Sequence, residues 1–306
     1  MKEITFKENS FGMRLKSMLR VDFRRMFTTP LIYIIVGICL AMPILILVMT
    51  GMMAEAPAAE LPGESNVENA VDVADSELSN TDVPANEIEG EPVDSFDNVW
   101  QIIGSVSDAP DAEQTGENSA NEKDAETGMS IVGMCNINML YFLIAVLVCL
   151  FVAADFRSGY AKNLFAVRAG KTDYVISKTV VCAVGGMMML LAFFIGALLG
   201  GAIMSISFEM VGFGVHNLIL CLMSKLLLVL VFVPIYVVLS VAAKQRTWLS
   251  ICLSLAAGML LFAMIPMLTP LNSGVINMLG CLAGGALFSV GLGAVSRLVL
   301  DKTSLV

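Results

Sequence analysis

Asp155-Phe-Arg-Ser-Gly-Tyr-Ala-Lys-Asn-Leu-Phe-Ala-Val-Arg-Ala-Gly-Lys-Thr-Asp-Tyr-Val-Ile-Ser-Lys178 lies between two long apolar runs, Met129–Ala154 and Thr179–Met204. The stretch carries five cations, Arg157, Lys162, Arg168, Lys171 and Lys178, against two anions, Asp155 and Asp173. Each flanking run is long enough to cross about 30 Å of hydrocarbon. The stretch is therefore a short connection between two membrane spans. Such a connection, rich in Lys and Arg, is expected on the cytoplasmic side.

The bulk composition agrees. Hydrophobic residues make up 57% of the 306, and the mean hydropathy is +0.80. Soluble domains stay near 45–50% apolar, so roughly half is their ceiling. The net charge of −9 hides a segregation along the chain. Residues 54–128 hold 20 of the 27 acidic side chains and one cation, Lys123. The rest of the chain is net basic, so the acidic total says little about the membrane part.

Residues 11–28 read as an amphipathic helix, with Phe11, Leu15, Leu19, Phe23 and Met26/Phe27 at steps of three or four. Arg14, Arg20, Arg24 and Arg25 fall largely elsewhere on the wheel. A basic amphipathic helix before a span is expected in the cytoplasmic headgroup layer. Thr29-Pro30 ends it and turns the chain. Span one is Leu31–Met53, 23 residues without a charge, or about 34 Å of helix. A cleaved signal peptide is the rival reading, with Ala54-Glu55-Ala56 as its site. Against it stand the long charged leader and an apolar run exceeding the roughly 7–15 residues of a signal core.

The acidic segment 54–128 is expected to be a largely disordered outer loop, because it lacks the apolar area to offset ordering entropy. Within it, Ser95–Val106 spaces Phe96, Val99, Trp100, Ile103 and Val106 as a short amphipathic helix on the outer membrane face. Span four ends at Ala243. Lys225 is expected to snorkel to the outer interface, with 214–224 interfacial and Leu226–Ala243 crossing. Pro234 is expected to kink this span. Span five is Leu249–Leu268 and span six is Met278–Leu300. The expected fold is an all-α integral membrane protein. It has six transmembrane helices, an N-terminal amphipathic elbow helix within 1–30, and a large acidic extracellular loop between spans one and two. Residues 129–306 then hold spans two to six with a coupling segment at 155–178, and both termini are cytoplasmic. Gly196-Ala-Leu-Leu-Gly200 and Gly280-Cys-Leu-Ala-Gly284 read as packing sites, inside the subunit or at a dimer seam.

Familiar chemistry is missing. The single histidine, His216, has no evident nucleophile or acid beside it in sequence. The seven cysteines form no CxxC and read as small apolar packing residues. The 21 methionines invite a copper reading, but Met187-Met-Met189 lies on a span, where Met is ordinary filler. Gly170-Lys171-Thr172 imitates the end of a phosphate-binding loop, yet Phe165 stands where that loop requires Gly. ATP hydrolysis by this chain is not expected, and it is not expected to be an enzyme.

The island admits two readings: a plain basic loop obeying the positive-inside rule, or a docking surface. Its pattern resembles type-2 ABC exporter permeases. In that family an acidic-x-x-x-Gly element follows span two, and a basic re-entry ends in Tyr-x-x-x-Lys. Here these match Asp155, Gly159, Tyr174 and Lys178. The 11–28 helix resembles the family's elbow helix. Asp stands at 155 where Glu is commoner, and the acidic insertion is a further departure.

The resemblance implies a permease subunit in a bacterial plasma membrane, paired with a second permease subunit, identical or different. Two separate ABC ATP-binding subunits would hold ATP and Mg, with no cofactor on this chain and no nucleic acid among its partners. It implies that the helix around Asp155–Val167 docks in a groove on the ATPase. Gly159 would allow close approach and Arg168 would pair with an acid, alongside Arg157, Lys162, Tyr174 and Lys178. The cargo would be amphipathic, such as an antimicrobial peptide or a drug-like compound. The alternatives are a non-transport anchor or sensor recruiting a cytosolic partner, and an ion- or copper-linked permease. The acidic loop either concentrates cations or is a solvated spacer, and its composition favours the spacer. Deletion of residues 57–94 is therefore expected to leave export of, or resistance to, a cationic peptide unchanged; loss of either marks the loop as a cation-concentrating surface.

Overall fold

The computed structural model describes residues 11–54, 98–104, 136–167, 170–209, 214–243 and 246–302. Most of the acidic segment, residues 129–135 and Arg168 lie outside them. The described chain is helical apart from one isolated bridge pairing Asn98 with Ser207. Its helices are α1 (Phe11–Thr28), α2 (Pro30–Ala54), α3 (Leu140–Arg157), α4 (Tyr160–Val167), α5 (Lys171–Met204), α6 (Val215–Ala243), α7 (Thr247–Phe262), α8 (Met264–Leu268) and α9 (Val275–Lys302). Apolar segments of this length form helices because lipid offers no partners to backbone N–H and C=O groups.

Among the described residues, five segments are long and apolar enough to cross a membrane: Pro30–Met52, Ile137–Arg157, Lys171–Met204, Val215–Ala243 and Val275–Leu300. The expected span Leu249–Leu268 is instead two pieces, the 16-residue α7 and the five-residue α8. Pro266 explains the break. It has no N–H for the Phe262 carbonyl, and its ring crowds that carbonyl. Alone, α7 reaches about 24 Å, short of a full crossing.

Two further expectations change. Residues 214–224 are not a separate interfacial helix, because α6 runs unbroken from Val215 through Lys225 and Pro234 to Ala243. The island is mostly helix rather than loop: α3 continues through Asp155, and α5 begins at Lys171, well before Thr179. The helix expected around Asp155–Val167 is divided at Ser158–Gly159. Gly159 has φ +71, a left-handed turn that glycine adopts without a Cβ penalty.

The packing follows from small residues. At Gly200 an added Cβ would sit 2.8 Å from Leu47 of α2, and at Gly196 it would press on the Leu40 carbonyl. Bare glycines thus let α2 lie directly on α5. By contrast, a Cβ at Gly280 or Gly284 of α9 meets nothing within 4 Å. Of the two small-residue patterns, the first is an internal seam and the second is not. Ser250, Ser254 and Gly258 form the buried stripe of α7. Ser250 Oγ donates to Ser240 Oγ of α6 at 2.9 Å, and Cys149 of α3 bridges Ser240 and Ser254. Hydroxyls and small side chains are the usual means of association where no hydrophobic driving force acts between helices.

The bundle has two ends. The basic end holds α1, α4 and the start of α5. At the opposite end, residues 98–104 turn inward. They form a 3₁₀ turn, Val99–Ile102, with Val99, Ile102 and Ile103 fully buried. The outer-face amphipathic helix expected at Ser95–Val106 is thus, over its described part, a core segment. The Val99 N–H donates to the Ser207 carbonyl at 3.2 Å, and Trp100 Nε1 to the Phe208 carbonyl at 3.2 Å. Asn136 Nδ2 holds the Gly104 carbonyl at 3.1 Å.

Below this turn sits Lys225, 1% exposed. Its Nζ donates to Asn138 Oδ1 at 2.8 Å and to Thr269 Oγ1 at 3.0 Å. Lys225 therefore does not snorkel outward, because side-chain oxygens of Asn138 and Thr269 meet its ammonium inside the bundle. Replacing Gly196 by Val is expected to destabilise the protein by about 1–3 kcal/mol, since a carbonyl cannot yield as a side chain does. Gly280→Val is expected to leave thermal unfolding in detergent unchanged, and the pair of melts tests the assignment.

Candidate functional site

Four charged residues meet at the basic end. Lys178 of α5 places its ammonium 2.6 Å from Asp155 Oδ2 of α3 and 2.8 Å from Asp22 Oδ1 of α1. Arg25 of α1 donates from Nη1 to Asp155 Oδ1 at 2.7 Å. Tyr174 Oη donates to Asp155 Oδ2 at 3.1 Å, and Ser177 Oγ to Asp22 Oδ2 at 2.6 Å. Asp22, Asp155 and Lys178 have fully buried side chains, and Arg25 is one-third exposed. Two carboxylates and two cations make the group neutral. Burying isolated charges costs several kcal/mol each, so this arrangement persists only because each partner is present and hydrogen-bonded.

An aromatic shell surrounds the charges. The Lys178 ammonium lies 4.3 Å above the Phe151 ring, and the Arg25 guanidinium 4.1 Å above Tyr160. Phe165 and Phe156 each meet the Tyr174 ring edge to face, at 5.3 and 6.4 Å between centroids. Tyr160 and Phe165 belong to α4, so this short helix is fastened to the ionic group along one side. Burial pulls the Arg25 pKa down, and Asp155, Tyr160 and Asp22 together push it up, leaving it raised. Burial, then the Asp22 charge, raises the Tyr160 phenol, which stays a neutral ring beneath the guanidinium.

The opposite side of α4 is open: Lys162, Asn163 and Ala166 are exposed, as is Arg157 just before the turn. The sequence-derived residues therefore fall into two groups. Asp155, Tyr174 and Lys178 are brought together in the interior, where their contacts are within the chain. Arg157 and Lys162 face outward from the same end. Gly159 makes the turn between them, with open space where a Cβ would be. Arg168 lies outside the described residues.

Lys171 donates to the Leu300 carbonyl at 3.0 Å, tying the start of α5 to the end of α9. Asp173, in the first turn of α5, meets Arg14 of α1 at 3.7 Å, and a carboxylate there also suits the helix dipole.

Asp22 and Arg25 escaped the sequence reading. A signal was present: Asp22 is the one acid among the cations of 11–28, and it falls between Met18 and Met26 on the buried stripe of α1. An acid on the apolar face of a basic helix asks for a buried cation.

Among the described residues no group of three or more His, Cys, Asp or Glu side chains could hold a metal ion. Charged residues are buried at both ends, not gathered around a reactive nucleophile. The architecture is that of a multi-pass helical membrane protein with a structured basic end on which Arg157 and Lys162 are exposed. Residues 112–261, just under half of the chain, match the family described as ABC-2 family transporter protein. That stretch, which includes the island, is similar to ABC-2 family transporter proteins, the family that the island resembles. No curated protein and no solved structure matches the chain.

Lys178→Met leaves two buried carboxylates facing one arginine. It is expected to destabilise the protein by about 3–5 kcal/mol, the usual cost of removing one member of a buried pair. Adding Asp22→Asn is expected to recover part of that loss, and Arg157→Gln to cost nothing measurable. Thermal unfolding of the three variants and the wild type in one detergent checks the order.

Proposed function

We propose that this chain is the membrane-spanning permease subunit of an ATP-driven exporter and that α4 is its docking element for a separate ATP-binding subunit. The supporting observation is the two-sided α4: one side is anchored on the buried ionic group, the other presents Lys162, with Arg157 beside it. ATP and Mg belong to the partner, and chemistry on this chain is not needed. A second permease subunit completes the transporter in the plasma membrane. The basic end and both termini face the cytoplasm, in keeping with the positive-inside rule. On this reading α7 and α8 together make the fifth of six crossings, and residues 54–128 lie outside.

The mechanism follows from the connections. Closure of the ATPase dimer on ATP favours one position of α4. Because α4 sits between α3 and α5 and is fastened to both through Tyr174 and the ionic group, it moves them as one body. α2 follows α5 through the Gly196 and Gly200 contacts. Nucleotide thereby shifts the bundle between two states that bind it unequally. The cargo class is amphipathic, a peptide or drug-like compound.

The experiment reverses the outward charges alone. The double variant Arg157→Glu, Lys162→Glu is expected to insert, to melt like the wild type, and to lose both transport and the co-purifying ATPase. Salt should weaken the wild-type association, since exposed charges are screened. Retention of the ATPase and of transport by the double variant contradicts docking through α4. A stoichiometric partner without ATPase activity supports the anchor reading instead.

A further inference from the structure

Beside the basic end, where α5 meets α9, a laterally open groove encloses about 740 Å³. Its walls are apolar. Val175, Ile176 and Val180 of α5 face Val290 and Leu298 of α9 across it, and Leu230 of α6 contributes to the lining. Thr172 and Arg297 line it toward the basic end. From Thr172 to Val180 the groove descends about 12 Å, close to the half-thickness of a bilayer's hydrocarbon core. Gly293 keeps it open, because a Cβ there meets nothing within 4 Å. The volume lies within the roughly 300–1,000 Å³ of sites that hold small organic ligands.

We propose that this groove is a binding site for one phospholipid with an anionic headgroup, drawn from the leaflet at the basic end. The chemistry of the two ends selects it. Acyl chain fits walls of Val, Ile and Leu, and it supplies the contacts that an empty groove forfeits. The headgroup phosphate meets the Arg297 guanidinium, whose planar fork suits two oxygens at once, and the Thr172 hydroxyl. Lys171, held on the Leu300 carbonyl beside the groove's mouth, adds to the positive potential. Basic pockets between transmembrane helices favour acidic lipids for this reason. The lipid would wedge α9 against α5 and so tune the mobility of the helix that carries Lys178. The site does not depend on what the protein transports.

The test is lipid analysis of the full chain, purified in mild detergent from membranes holding phosphatidylglycerol and phosphatidylethanolamine. The wild type is expected to retain phosphatidylglycerol at least several-fold over phosphatidylethanolamine. Gly293→Leu, which fills the groove from within, is expected to lose the retained lipid. Arg297→Gln is expected to keep a lipid and lose the preference. Val290→Trp, at an exposed position on the groove wall, replaces Gly293→Leu if that variant fails to fold. Retention unchanged in the filled variant, or no retained lipid in the wild type, overturns the proposal. So does a filled variant that keeps its lipid while a wild-type dimer becomes monomeric, since the groove is then covered by a second copy.

Discussion

A lysine held between two carboxylates organises the basic end of this molecule. Lys178 is buried against Asp22 and Asp155, and those acids against Lys178 and Arg25, so removing any one member leaves a buried charge without its partner. The four side chains come from three helices: Asp22 and Arg25 from α1, Asp155 from the last turn of α3, Lys178 from the third turn of α5. Electroneutrality therefore fixes the relative positions of three helices. The first of these precedes the opening apolar helix and has only a narrow apolar stripe of its own. Without the ionic group, α1 would have little reason to pack on α5 rather than spread on a membrane surface.

The opposite end uses polar contacts differently. Lys225 is surrounded by neutral oxygens from Asn138 and Thr269, and the Lys225 carbonyl accepts from Tyr141 at 2.8 Å. Above it the Val99–Ile102 turn closes the bundle with apolar side chains. Residues 98–104 of the long acidic segment are therefore held inside the protein. Between the ends, the close contacts at Gly196, Gly200, Ser240 and Ser250 sit beside a core of large buried side chains that includes Ile144, Phe193, Phe232 and Tyr236.

Much of the architecture was legible from hydropathy alone, because a bilayer allows few alternatives to helices. Leu31–Met53 and Met278–Leu300 lie within one to three residues of the observed helix ends. Thr29-Pro30 separates α1 from α2, as a residue pair disfavouring helix should. The seam at Gly196 and Gly200 was visible as a spacing, although the sequence left its partner open between another subunit and α2. What escaped was decided by tertiary partners. Lys225 looked like a snorkelling cation because its acceptors, at 138 and 269, are remote in sequence. Val99, Ile102 and Ile103 looked like a surface helix because their apolar spacing carries no information about what they cover. Pro266 was read through, although the carbonyl it deprives, at Phe262, marks where α7 stops. At the basic end, Asp155, Gly159, Tyr174 and Lys178 were found by their pattern, whereas their partners on α1 required the fold.

The account stands most directly on the coupling between Arg25 and Asp155, which joins α1 to α3 across 130 positions of sequence. A double-mutant cycle with Arg25→Gln, Asp155→Asn and the two combined, followed by unfolding in detergent, isolates that coupling. The predicted result is a favourable interaction energy of about 1.5 kcal/mol or more, in the range measured for close, partly desolvated charge pairs. Additive effects, with coupling near zero, would mean that α1 is held by its apolar stripe alone and that the ionic group does not organise the basic end.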